Sequence, residues 1–119
     1  MRKEQFYKNR DLPFAELRYS RGSAASFKPH MHQTLSIGAV EDGEVVYRVS
    51  GQEDRLGPGA LVVFNPEALH TCNPVNERGR SYYMLHLDPG WCLKVQQSMW
   101  HVDQIVPVEK TRLDDPALY

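Results

Sequence analysis

The chain has 119 residues and a mass of 13.7 kDa, a length that suits one hydrophobic core and is too short for two. Fourteen Lys and Arg against fifteen Asp and Glu give a formal charge of -1 and a pI near 6.5, without the basic excess of a nucleic-acid-binding domain. No window approaches the roughly 18 apolar residues that span a bilayer, and Met1 to Arg10 lacks the apolar stretch of a secretion signal. These features predict a cytoplasmic protein with no membrane partner, in which Cys72 and Cys92, without Cys-x-x-Cys spacing, are inert buried thiols.

Residues 1–13 are polar apart from Phe6, Tyr7 and Leu12 and read as an N-terminal arm closed by Pro13. From Phe14 to Asp88 short runs rich in β-branched and aromatic residues alternate with Gly, Pro, Asn and Asp, the punctuation of an all-β sandwich or barrel. The expected strands are Phe14–Ser20, Ser26–His32, Leu35–Val40, Glu44–Val49, Glu53–Leu56, Ala60–Phe64, His70–Asn73 and Arg80–Leu87. Glu41-Asp42-Gly43 predicts a tight hairpin, Ser50-Gly51-Gln52 a second turn, and Gly57-Pro58-Gly59 a loop with restricted backbone. The unbroken run Leu61-Val62-Val63-Phe64 suits a strand buried on both faces.

After Asp88 the pattern changes. Cys92, Val95 and Met99 at i, i+3 and i+7 predict a short amphipathic helix over Pro89–Trp100, and Gln104–Val108 an extended piece. Asp114-Asp115-Pro116 reads as a helix start. The expected organisation is an arm over 1–13, an all-β barrel over 14–108, and a truncated helix or linker over 109–119, as in a fragment of a longer polypeptide.

His30 and His32 lie two residues apart, which on a strand puts both imidazoles on one face with Thr34 and Ser36. His70 starts a later strand. Three imidazoles converging in a barrel suit Zn, Fe, Ni or Mn, while the plainer reading is a polar patch of histidines bonded to backbone or water. Alternation places Val45, Tyr47 and Val49 on the same inner side; Tyr47 either lines a pocket or packs in the core. Tyr83 and His86 lie on opposite faces of their strand, so only one of them points in.

His30-x-His32, Ser36, Gly43, Gly59, Pro66 and His70 together resemble the two-part motif of the cupins, small jelly-roll β-barrels. The resemblance implies that His30, His32 and His70 match the three histidine ligands of metal-binding cupins, while Ser36 stands where their glutamate would be. Ala68 replaces a family glycine, and the spacings of Pro66 and Asn73 differ by one residue. The stretches His30–Gly38, Leu56–His70 and Tyr82–Pro89 are most similar to the N-terminal effector-binding domains of AraC-family transcription regulators.

That resemblance implies a non-enzymatic sensor that dimerises, with a small-molecule effector inside the barrel and DNA contacted through a C-terminal helix-turn-helix part absent from this chain. The expected ligand-binding residues are His30, His32, Ser36, Tyr47, His70 and His86. No cofactor is expected, and any divalent metal would fall to His30, His32 and His70. The rival readings are a stand-alone metal-dependent cupin enzyme, an isomerase or dioxygenase, and a structural cupin that binds nothing.

Overall fold

The computed structural model describes residues 3–23, 31–49, 51–76 and 78–119. Two antiparallel sheets build the expected all-β barrel, with one short helix after it. The larger sheet contains six strands in the order β1 (Lys3–Lys8), β2 (Ala15–Ser23), β8 (Arg80–Leu87), β3 (Leu35–Asp42), β6 (Leu61–Phe64) and β9 (Arg112–Leu113). The smaller has β5 (Gln52–Leu56), β4 (Val45–Val49) and β7 (His70–Pro74). Among the described residues no helix is long and apolar enough to cross a membrane.

Strand pairing fixes which side chains share the interior, because directly opposed residues point to one face. Arg18 opposes Met84, Ser20 opposes Tyr82, Ser36 opposes His86, and Gly38 lies between Met84 and Val62. Val40, Val62 and Phe64 of the large sheet meet Val45, Tyr47 and Leu56 of the small one in the inner core. On the opposite side of the large sheet Leu35, Ile37, Val63 and Leu87 pack with Cys92, Trp91, Ile105, Val108 and Leu113. The apolar run of β6 thus serves two cores, Val62 and Phe64 inward and Val63 outward, and each fully buried side chain of this size contributes about 1.5 to 3 kcal/mol.

The helix α1 spans Pro89–Gln97, shorter than the expected Pro89–Trp100. Asp88 caps it by accepting from the Trp91 amide at 2.9 Å, and Pro89 occupies the first turn, where a missing N–H costs nothing. Trp91 stacks on Phe14 with ring centroids 4.2 Å apart, which pins α1 to the start of β2.

Other expectations change as well. Residues 3–8 of the arm form an edge strand of the large sheet, paired with β2 from Lys3↔Arg21 to Lys8↔Glu16; backbone pairing to β2 compensates for their low apolar content. The barrel also extends past residue 108, since Leu113 opposes Leu61 and the Tyr119 hydroxyl donates to the Val40 carbonyl. Instead of a helix start, residues 114–119 carry a turn closed by Leu118 N–H to Asp115 O. Gln104–Val108 is irregular, its Val108 amide and carbonyl bound by the Asn65 side chain at 2.7 and 3.0 Å.

Gly43 does not close a hairpin. It carries the chain from β3 in one sheet to β4 in the other, at φ +83°. The turn at Gly51 joins β4 and β5 as a true hairpin. Of the strand expected over Ser26–His32, only Met31 and His32 are described, and neither is in a strand.

Candidate functional site

Between the sheets lies a cavity of about 400 Å³, a size suited to a small ligand. Gly38, Ala39, Val40, Val45, Leu56, Val62 and Met84 supply its apolar wall. Its polar groups are Arg18, His32, His70, Arg80, Tyr82 and His86, with Cys72 beside them. Gly38 makes part of this space: a Cβ there would lie 3.2 Å from Val62 Cγ1 and 3.3 Å from Met84 Cε.

Local backbone bonding brings the histidines together. The Glu67 amide donates to the His32 carbonyl at 2.7 Å, holding His32 against the turn that precedes His70. The rings of His32 and His70 then lie 5.4 Å apart, and those of His32 and His86 5.1 Å apart. His70 is buried, stacked on Phe64 at 4.0 Å, and its Nδ1 donates to the Ala68 carbonyl at 2.9 Å. That bond places the proton on Nδ1 and makes Nε2 the acceptor in the neutral ring.

His86 points inward and Tyr83 outward. The Nδ1 of His86 lies 2.8 Å from Ser36 Oγ and 3.2 Å from Thr34 Oγ1. Burial lowers the His86 pKa, Arg18 and His70 push in the same direction, and Glu16 opposes them. Tyr83 instead packs against Tyr19 on the outer face, ring centroids 4.5 Å apart.

Of the residues expected from sequence, His32, His70 and His86 line one cavity. Ser36, fully buried, stands behind His86 and orients it. Tyr47 belongs to the inner core, 6.4 Å from the Phe64 ring, with its hydroxyl donating to Asp54 Oδ2 at 3.5 Å. Burial raises its pKa, with Asp54 adding to the effect. His30 lies outside the described residues.

Among the described residues no three His, Cys, Asp or Glu side chains come together as metal ligands. Ser36 brings no negative charge to the position where metal-binding cupins carry glutamate. Cys72 is a free thiol whose pKa burial pushes up to about 11, so it stays protonated and is a poor ligand or nucleophile.

Sequence reasoning did not single out the two arginines. Arg80 is buried and bridges the sheets: Nη1 donates to the Ser23 carbonyl at 2.8 Å and its hydroxyl at 3.1 Å, and Nη2 donates to the Cys72 carbonyl at 3.3 Å. Its guanidinium lies 4.8 Å from the centre of the Tyr82 ring. Arg18 donates from Nη2 to Glu4 Oε1 at 2.8 Å and to Tyr82 Oη at 3.3 Å. The available signal was parity, since Arg80, Tyr82, Met84 and His86 occupy alternate positions of one strand, so fixing His86 inward fixes all four.

A two-sheet barrel around such a cavity agrees with the family comparison, in which the AraC-like ligand binding domain matches residues 14–118. The chain belongs to this family. Over 69 residues the AraC-like domain is 30% identical to an uncharacterised HTH-type transcriptional regulator, YbfI, of Bacillus subtilis, a match covering 58% of this chain and 25% of the regulator. This chain thus matches about a quarter of that relative's length.

Similar solved structures show the fold. A cupin 2 conserved barrel domain protein from Salinispora arenicola superposes with a TM-score of 0.64 at 14% identity, covering 82% of this chain and 84% of that one. A mutant of Bacillus subtilis oxalate decarboxylase OxdC gives 0.60 at 19%, covering 71% and 25%. KdgF from Halomonas sp. gives 0.60 at 18%, covering 72% and 78%. The AraC-like domain is therefore a cupin-type barrel with a short helix after it.

Proposed function

We propose that this chain is the effector-sensing and dimerisation part of a cytoplasmic AraC-family transcription regulator, and that a small molecule binds between the sheets without being turned over. The observation that carries this reading is the inter-sheet cavity, whose mostly apolar wall bears a few polar groups, as small-ligand sites do. In this reading His32, His70 and His86 contact the effector, Ser36 holds His86 in place, and Tyr47 supports the wall from the core. His30, expected from the sequence to contact the effector as well, lies outside the described residues. DNA is contacted by a separate helix-turn-helix part of a longer protein, and the present chain contributes sensing and self-association.

Titration calorimetry with a metabolite panel of organic acids, amides, sugars, alcohols and amino acids tests the reading. Saturable binding without product formation is expected, and Gly38→Leu, which fills the cavity, abolishes it. Binding that survives Gly38→Leu would place the ligand elsewhere. Near-stoichiometric Fe, Mn, Ni or Zn that is lost on replacing His30 or His70 would favour the metal-dependent enzyme.

A further inference from the structure

The polar part of the cavity is electrostatically one-sided. Two guanidinium groups and three imidazoles line it, and no Asp or Glu stands among its described lining residues. The two arginines differ in how far they are committed to the fold. Arg80 spends its two terminal nitrogens, Nη1 and Nη2, on the Ser23 and Cys72 backbone carbonyls and the Ser23 hydroxyl, which it ties together across the two sheets.

Arg18 is held differently. Its Glu4 and Tyr82 bonds both leave from Nη2, while its Nε is buried without a hydrogen-bond partner. Glu4 reaches it from β1, which among the described residues is an edge strand paired only with β2. Two residues beyond Arg18 on the same face, the fully buried Ser20 hydroxyl also has no hydrogen-bond partner. Buried polar groups are normally satisfied, and a buried donor left without a partner is destabilising. A planar guanidinium with a spare Nε–H matches a carboxylate, which accepts from two of its nitrogens at once.

We propose that the effector is a small organic acid, and that its carboxylate binds Arg18 in place of Glu4 while its apolar body fills the space over Gly38, Val62 and Met84. Glu4 is then a built-in competitor, an internal carboxylate resting where the ligand's will sit. Exchange of one carboxylate for another keeps the cavity's charge balanced and gives the Arg18 Nε a partner. Glu16, the other carboxylate on this inner face, opposes His86 in the strand register, which orients an acid's charged end toward Arg18. This inference rests on the effector reading above.

The test uses the 119-residue chain and matched probes: benzoate, phenylacetate and hexanoate against benzamide, phenylacetamide and hexanamide, with neutral sugars and alcohols as a third arm. Calorimetric affinities are expected to favour each acid over its amide by about tenfold, the scale of one charge-assisted hydrogen bond. Arg18→Gln removes that preference, Arg18→Lys restores part of it, and Glu4→Gln tightens acid binding about threefold or more by removing the competitor. Glu4→Gln leaves Arg18 in place, so it reports even where Arg18→Gln disturbs folding. Amides that bind as well as acids, or acid affinities unmoved by Glu4→Gln and by either Arg18 variant, overturn the carboxylate assignment. Binding of a sugar or alcohol without any acid overturns it while the effector reading stands. If no compound of any arm binds, both fall.

Discussion

Desolvation is the largest influence on the His86 ring, lowering its pKa from 6.5, with Arg18 and His70 acting in the same direction and Glu16 against them. The folded protein therefore binds fewer protons at this ring than the unfolded chain does. The stability associated with neutral His86 is fully present above the unfolded value, and it is lost as pH falls from about 6.5 toward the depressed folded value. A lower thermal midpoint at pH 5.5 than at pH 7.5 is expected, and His86→Gln, which keeps a polar partner for Ser36, should shrink that difference. An equal difference in both proteins would remove His86 as its source. At this scale the sequence was informative about residue type and weaker about direction. The His-x-His spacing with Ser36 drew attention to a segment whose His32 lines the cavity and whose Ser36 bonds His86, while the inward choice of His86 over Tyr83 needed the register of β8 against β2 and β3. Arg18 and Arg80 stayed hidden because an arginine in a strand ordinarily faces solvent, and only the opposing sheet shows that these two face inward.

Turns decide how the elements are joined, and two glycines separate backbone conformation from crowding. Gly59 has φ +103° and nothing within 4 Å of where a Cβ would stand, so Gly59→Ala should cost about 1 kcal/mol through backbone strain alone. Gly43 has φ +83°, and a Cβ there would lie 2.6 Å from the Gly79 carbonyl oxygen, which belongs to the backbone and cannot swing aside. Gly43→Ala should therefore cost more, about 2 to 4 kcal/mol, measured by chemical denaturation. Equal losses would mean that the crossing from β3 to β4 is looser than the geometry shows. The Asp-Gly pair announced a turn here, but a tight hairpin and a sheet-to-sheet crossing share that local chemistry. Alternation and punctuation similarly revealed β2 to β8, each of which buries an apolar side or lies between clear turns. They did not reveal β1, whose stability comes from pairing with a distant strand, or β9, whose two residues are too few to establish a period.

The charge of the whole chain has a consequence for what it can grip. DNA affinity grows with the number of phosphates neutralised by Lys and Arg, and a site making six to ten such contacts loses roughly 10³ to 10⁵ in affinity between 50 and 200 mM salt. Here fourteen basic residues face fifteen acidic ones, and the basic ones are partly spent inside the fold. Arg18 pairs with Glu4, Arg48 with Glu53, Arg55 with Glu44, and Arg112 with both Asp54 and Asp114, while Arg80 is buried. Surface pairs of this kind contribute little to stability, but each places a carboxylate beside a cation that a phosphate would otherwise approach. The 119-residue chain is therefore expected to give no retardation of duplex DNA at about 150 mM salt, with or without a bound acid. Micromolar binding that weakens steeply with added salt would show a basic surface within the barrel itself.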